Sequence, residues 1–201
     1  MKKVEILRGI ILKTDRHKEF DLRLVVLHAE GLKTLYATGA LRPSAKLRGA
    51  LQLFNECEFS VVGSRVTTAL LTQNNTSISK EIHRFYLASS ISNSTINILK
   101  NETSDDNIYD LVFYSLKTLA TTDTSCYKIF IGFYAKLLMI LGYGVEDFEH
   151  SDKIDEFLYS DLFNINDIDL GLNIAKKCVD AIRHAYLQHL GITIDSVNIN
   201  I

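Results

Sequence analysis

Cysteine is sparse in this 201-residue chain, with only Cys57, Cys126 and Cys178. The three are unclustered, which excludes a disulfide framework and a cysteine zinc site and fits a reducing cytosol. Proline is scarcer still, Pro43 alone. No apolar run reaches the roughly 18 residues of a membrane span. The longest, Ile129 to Leu141, is interrupted by Gly132, Tyr134 and Lys136. The opening MKKVEILRG is charged but has no apolar core or small-residue cleavage site, so no signal peptide is expected. Glycine-rich phosphate loops of the Walker and dinucleotide types are missing, and so is a G-x-S-x-G elbow, which leaves nucleotide and acyl-transfer chemistry without an anchor.

Other candidate chemistry is thin. Leu141-Gly142-Tyr143-Gly144 follows a helical pattern rather than a strand and reads as a helix stop. His184 and His189 are five apart, on different helix faces, which argues against paired metal ligation. His17, His28, His83 and His150 are scattered. The acids Glu146, Asp147, Glu149 and Asp152 lack the spacing of a calcium loop and read as a solvated face. Cys57 and Cys178 lie on apolar faces as small core residues, and Cys126 near a helix start is also read as structural. Neither a cofactor nor a catalytic role is expected.

What is present is an ordinary globular composition, 47% hydrophobic and 23% charged, with enough length for one large domain or two small ones. The net charge of -2 conceals an asymmetry. Up to Thr72 there are 12 lysines and arginines against 7 acids, a balance of +5; the remainder has 10 against 17, a balance of -7. A basic half joined to an acidic half is the footprint of a polyanion-binding module fused to something else.

In chain order, Val4–Lys13 reads as a first strand, Thr14–Asp21 as a polar connection, Leu22–His28 as a second strand and Leu32–Thr38 as a third. A basic loop, Gly39–Ala50, leads into a fourth strand over Leu51–Val62, with Leu51, Leu53, Cys57, Phe59 and Val61 on one face. Arg65–Thr72 makes a fifth. Five short strands without a long helix fit an OB-fold or a similar small barrel. Gln73–Thr76 breaks the pattern, so domains are drawn at 1–75 and 76–201.

The second part reads as helical. Ser77 or Ser79 is a candidate N-cap, and Ile82, Phe85 and Tyr86 begin an apolar face. The stretch SSISNSTIN argues against one unbroken helix. Asp105 and Asp106 suit a helix start, before Ile108, Leu111, Val112, Leu116 and Leu119. The strongest pattern runs from Thr124 or Ser125 to Gly142, through Phe130, Phe133, Tyr134, Leu137, Leu138 and Leu141. A short helix is expected at Asp152–Tyr159. A long one at Leu172–Leu190 carries Ala175, Val179, Ile182 and Tyr186 and ends at Gly191. The tail ITIDSVNINI alternates like a strand or an extended segment. The fold class expected is thus α+β, a five-stranded barrel followed by an all-helical domain.

The binding candidates are the basic residues of the β-module. Lys33, Arg42, Lys46, Arg48 and Arg65 are placed to line a groove tracking a phosphate backbone, with Tyr36 or Phe54 for base stacking.

Four patches, in order along the chain, are similar to the RecO family of recombination mediators. They are Arg8-Gly9-Ile10-Ile11-Leu12-Lys13-Thr14 with Asp21-Leu22-Arg23-Leu24-Val25, then Gly39-Ala40 with Lys46-Leu47-Arg48-Gly49-Ala50-Leu51-Gln52-Leu53-Phe54-Asn55, then the helix ending Leu137 to Gly144, and last Ala185 to Gly191. The resemblance implies an N-terminal OB-fold and a C-terminal helical domain. It implies binding of single- and double-stranded DNA in repair of single-strand gaps, strand annealing, and recombinase loading. The implied partners are RecR and the C-terminal tail of single-stranded-DNA-binding protein, in a cytoplasmic, nucleoid-associated setting without a membrane. Lys33, Arg42, Lys46 and Arg48 are the first DNA-binding candidates, with Arg8, Arg16, Arg23 and Arg65 behind them. The chain departs from the family's pattern in having Leu53 for a usual proline and no cysteine between Tyr143 and Lys177, so no zinc is expected. The competing reading is a protein-interaction adaptor whose barrel no longer binds nucleic acid.

Overall fold

Strand β1 (Val4–Arg16) is long enough to serve two neighbours in turn. Its first half pairs antiparallel with β4 (Glu56–Val62), from Val4↔Val62 to Ile10↔Glu56, and its second half pairs with β2 (Leu22–His28), from Ile10↔Leu27 to Arg16↔Leu22. Gly9 sits where the partner changes. A Cβ there would clash with Val26 Cγ1 and lie 2.7 Å from the Leu27 carbonyl oxygen, so only glycine lets the strands close in. Strand β3 (Gly31–Ala37) pairs with β2, and β5 (Arg65–Gln73) pairs with β4 and, in parallel at Tyr36↔Arg65, with β3. The result is a closed five-stranded barrel in the order β1-β2-β3-β5-β4, an OB-fold.

The structure, a computed structural model, describes residues 3–100, 106–121, 125–144 and 151–194. Two compact units divide the chain: Met1–Ser77 with Thr95–Tyr109, and Ile78–Ser94 with Asp110–Ile201. No helix among the described residues is long and apolar enough to cross a membrane.

The barrel interior is filled by Leu7, Ile11, Leu24, Val26, Leu35, Cys57, Phe59, Val61 and Val66, the inward set that strand alternation selects. Two strand expectations need correction. The connection expected at Thr14–Asp21 is strand as far as Arg16. The fourth strand begins at Glu56 rather than Leu51, because Phe54 takes a left-handed backbone (φ 70°) that no strand continues through. Before it, residues 39–51 coil through successive i→i+3 turns: Arg42 N–H to the Gly39 carbonyl, Ala45 to Arg42, Arg48 to Ala45 and Ala50 to Leu47. This coiling turns Ala40 and Leu51 into the barrel core, with Leu47 and Ala50 packed against it, and leaves Arg42, Lys46 and Arg48 exposed. The loop therefore plugs the barrel with one side and presents cations on the other.

The junction after β5 is fixed by amides. Asn75 donates through its backbone N–H to Asn55 Oδ1 (2.8 Å) and through Nδ2 to the Phe54 carbonyl (3.0 Å), so both asparagines are buried yet satisfied. Ser77 and Ser79 then lie inside a 3-10 turn, Thr76–Lys80, ahead of the helix that follows.

Helices α1 (Ile82–Leu99), α2 (Asp106–Thr121), α3 (Cys126–Ile140), α4 (Ser151–Tyr159) and α5 (Leu172–Leu190) complete the chain. Contrary to expectation, α1 is unbroken across its serine-rich stretch. Its Ser90 and Ser94 are buried against the Tyr134 hydroxyl, at 2.7 and 3.1 Å, so they satisfy a core phenol instead of fraying the helix. Helix α3 is the core of its unit, with every residue from Ile129 to Ala135 buried. A Cβ on Gly132 would stand 3.2 Å from Leu162 Cδ2, which explains a glycine in mid-helix. Lys136, the polar break in this apolar run, donates to the Leu158 carbonyl, and Lys128 donates to the carbonyls of Asn166 and Ile168. Helix α5 ends at Gly191 in the left-handed conformation (φ 63°). Of the expected tail strand, residues 195–201 lie outside the described residues, as do Asp105 and most of the acidic run before α4.

Candidate nucleic-acid interface

The barrel's outer surface carries one continuous cross-strand row. Asp15 on β1 is registered with Arg23 on β2, Arg23 with Tyr36 on β3, and Tyr36 with Arg65 on β5. Arg23, Tyr36 and Arg65 lie outside because their chain neighbours (Leu24, Leu35, Ala37, Val66) point in. Register therefore places Arg23 on one side of Tyr36 and Arg65 on the other, on neighbouring strands. The Tyr36 N–H donates to the Ser64 carbonyl at 2.8 Å, which ties the β4–β5 turn to this row.

Beside Arg65 opens a groove of about 830 Å³, lined by Thr38, Leu47, Val62, Gly63, Ser64, Arg65, Val66 and Thr67. Leu47 belongs to the coiled loop, and its chain neighbours Lys46 and Arg48 are exposed. Among the described residues, Lys46, Arg48 and Arg65 have no carboxylate within ion-pair distance, so their charge faces solvent uncompensated. Arg23 is shared with Asp15 at 3.8 Å.

The other expected residues have different settings. Arg42 lies over the Phe20 ring, 5.5 Å from its centroid. Arg16 is exposed at the end of β1. Lys33 falls on the inward-facing parity of β3 and bonds Glu5. Arg8 keeps its side chain mostly exposed, yet its guanidinium donates to the buried carboxylate of Glu56 at 2.8 Å. That carboxylate also accepts from Thr72 (2.6 Å) and Tyr109 (2.7 Å). Burial alone would push the Glu56 carboxyl up; the three donors outweigh it and hold it below the usual range.

Of the two aromatics expected to stack on bases, Phe54 is fully buried and out of reach. Tyr36 is half-buried on the outer row and packs against His17, ring centroids 4.8 Å apart and tilted by 55°. Sequence reasoning gave neither His17 nor Phe20 a place at the interface. The one signal that marks them is an aromatic and an imidazole inside a polar turn, where a loop has no core to fill. The cysteines offer nothing reactive: burial pushes the Cys57 thiol up to about 12, the Cys178 thiol up to about 11, and raises that of Cys126 as well.

Residues 1–77 match the family model described as Recombination protein O N terminal. The chain is 28% identical over 127 residues to the DNA repair protein RecO of Mesoplasma florum, covering 59% of this chain and 47% of that protein. It is also 28% identical over 145 residues to the DNA repair protein RecO of Desulforamulus reducens, covering 70% and 56%. The chain thus spans about half the length of the curated relatives it matches. The barrel is therefore similar to the N-terminal domain of recombination protein O, and the chain as a whole to two DNA repair proteins RecO.

Proposed function

We propose that this protein is a DNA-binding mediator of recombinational repair that acts without catalysis of its own. The observation that carries the reading is the row Arg23–Tyr36–Arg65 running into a groove lined by Arg65 and by Leu47, the residue between the exposed Lys46 and Arg48. Cations spaced along a barrel face suit a phosphate backbone, and each phosphate neutralised releases condensed counterions, which drives association. Neutralising two strands on one surface lowers their mutual repulsion, so the same residues support annealing. RecR and the C-terminal tail of single-stranded-DNA-binding protein are the partners that the RecO relationship suggests, with the helical unit as the surface available to proteins.

The test is a titration of labelled oligonucleotide across a series of salt concentrations. The unmodified chain is expected to bind with an affinity that falls steeply with salt. Changing Lys46, Arg48 and Arg65 together to Ala should flatten the slope by about 0.7–0.9 for each phosphate that is no longer neutralised. Annealing of a complementary strand should slow in parallel. No binding at low salt, with the barrel folded, would instead favour the adaptor reading.

A further inference from the structure

We infer that the loop joining β1 to β2 makes this surface a reader of unpaired bases, through two aromatic steps, His17–Tyr36 and Phe20–Arg42. The inference rests on the DNA-binding reading and adds which form of nucleic acid the face selects.

Five residues, from Arg16 to Phe20, are exposed in a row at the end of the barrel. Two of them are ring-bearing, and each is already paired with a group from another element. His17 packs on Tyr36 of β3 at 4.8 Å, and Phe20 lies beneath the Arg42 guanidinium at 5.5 Å. The loop is also firmly held. The His17 N–H donates to the Asp21 carbonyl (2.9 Å), the Leu41 N–H to the Phe20 carbonyl (2.9 Å), and the Gly39 N–H to Asp21 Oδ1 (2.7 Å). The rings therefore keep their positions without a ligand, and little ordering entropy is lost when one arrives.

Phe20, 38% accessible, keeps part of its ring open to solvent beside the Arg42 guanidinium. A nucleobase would cover that open part. Bases stack on aromatic rings and on guanidinium planes alike, with about 1–3 kcal/mol per base, and every base offers the same π-face. Inside a duplex those faces are covered by neighbouring base pairs, so a stacking surface gains nothing from double-stranded DNA. Arginines Arg23, Arg65 and Arg42, in contrast, attract phosphates of either form. The outer row thus divides its work: the cations hold any strand, and the two rings of the loop add a term open only to unpaired bases.

The experiment compares a labelled oligothymidylate with a blunt duplex of equal length, both at low salt, on the unmodified full chain and on variants. His17→Ala, Phe20→Ala and Tyr36→Ala are each expected to weaken single-strand binding by about 5-fold or more, with duplex binding and the salt slope unchanged. Tyr36→Phe should behave as the unmodified chain, which separates loss of a ring from loss of the fold. Phe20→Ala, an exposed loop change, provides a second check that does not touch the barrel. Equal losses for both forms of DNA, or no loss for the single strand, would overturn the inference while leaving the cationic reading in place. If the unmodified chain binds neither probe, the DNA-binding reading fails and the inference with it.

Discussion

Arg8 on β1 and Glu56 at the start of β4 are joined by a 2.8 Å hydrogen bond that gives the one acidic side chain buried among the described residues its counter-charge. Glu56 is only 1% exposed and accepts from Arg8, Thr72 and Tyr109 at once. Replacing it by Gln swaps an acceptor for a donor facing three donors, at a cost of about 2 kcal/mol. The carboxyl titrates lower in the folded chain than in the unfolded one, where its ordinary value is 4.5. Its contribution is therefore complete above that value and is lost as pH falls through the lower, folded value. Denaturant melts of the parent chain and Glu56→Gln should converge in acid and separate above about pH 5.

Arg8→Met gives a related outcome. It removes one donor of three and should lower stability by about 1–3 kcal/mol. Its effect on oligonucleotide affinity is expected to be small beside that of Arg65→Ala, because Arg8 already spends its charge on Glu56. Chemical denaturation and binding titration of the same two variants check this.

Gly9→Ala tests the barrel's closure. The added methyl would meet Val26 Cγ1 and the Leu27 carbonyl oxygen, neither of which is the free end of a flexible chain. Backbone must move where β1 passes from β4 to β2. A loss of about 2–3 kcal/mol is expected, read from the midpoint of denaturant unfolding with an unchanged slope.

How far the sequence revealed this molecule depended on whether a rule of local spacing applied. Period-two alternation located the inward residues Cys57, Phe59 and Val61, and helical spacing found α3 and α5 to within two residues at each end. The limits of β4 were hidden because Leu51 is buried without being in a strand: it enters the core from a coiled loop, and alternation cannot tell the two apart. The serines of α1 misled for a similar reason, since their partner, Tyr134, lies 40 or more positions away. At the interface, the cations were visible as charge but their grouping was not. Only strand register places Arg23, Tyr36 and Arg65 in one row and sends Lys33 elsewhere.

Tyr134→Phe isolates the polar centre of the helical unit. The ring packing with Phe130, Phe133 and Tyr186 is kept, while the hydroxyls of Ser90 and Ser94 lose their shared partner. Buried serines can turn back to a carbonyl of their own helix, so the expected loss is about 1 kcal/mol. A variant that also converts Ser90 and Ser94 to Ala should recover part of it, since removing both sides of a buried hydrogen bond costs less than removing one. Denaturant midpoints of the parent chain and the two variants check the order.

Lys33 and Arg65 offer the sharpest contrast among the cations. Both were expected at the interface from charge alone. Arg65 stands on the outer row, opposite Tyr36, with no carboxylate in reach among the described residues. Lys33 shares the inward parity of Leu35 and Ala37 and is paired with Glu5, so phosphate would have to displace an existing partner to reach it. The pair with Glu5 is half in solvent and contributes less than about 1 kcal/mol to folding, which makes Lys33→Ala a clean probe of binding. Its affinity for single-stranded oligonucleotide should change less than about two-fold, with the salt slope intact, whereas Arg65→Ala should both weaken binding and flatten the slope by about one phosphate's worth. If Lys33→Ala flattens the slope as much as Arg65→Ala does, the strand passes the end of the barrel where Glu5 lies, and the groove beside Arg65 is not its path.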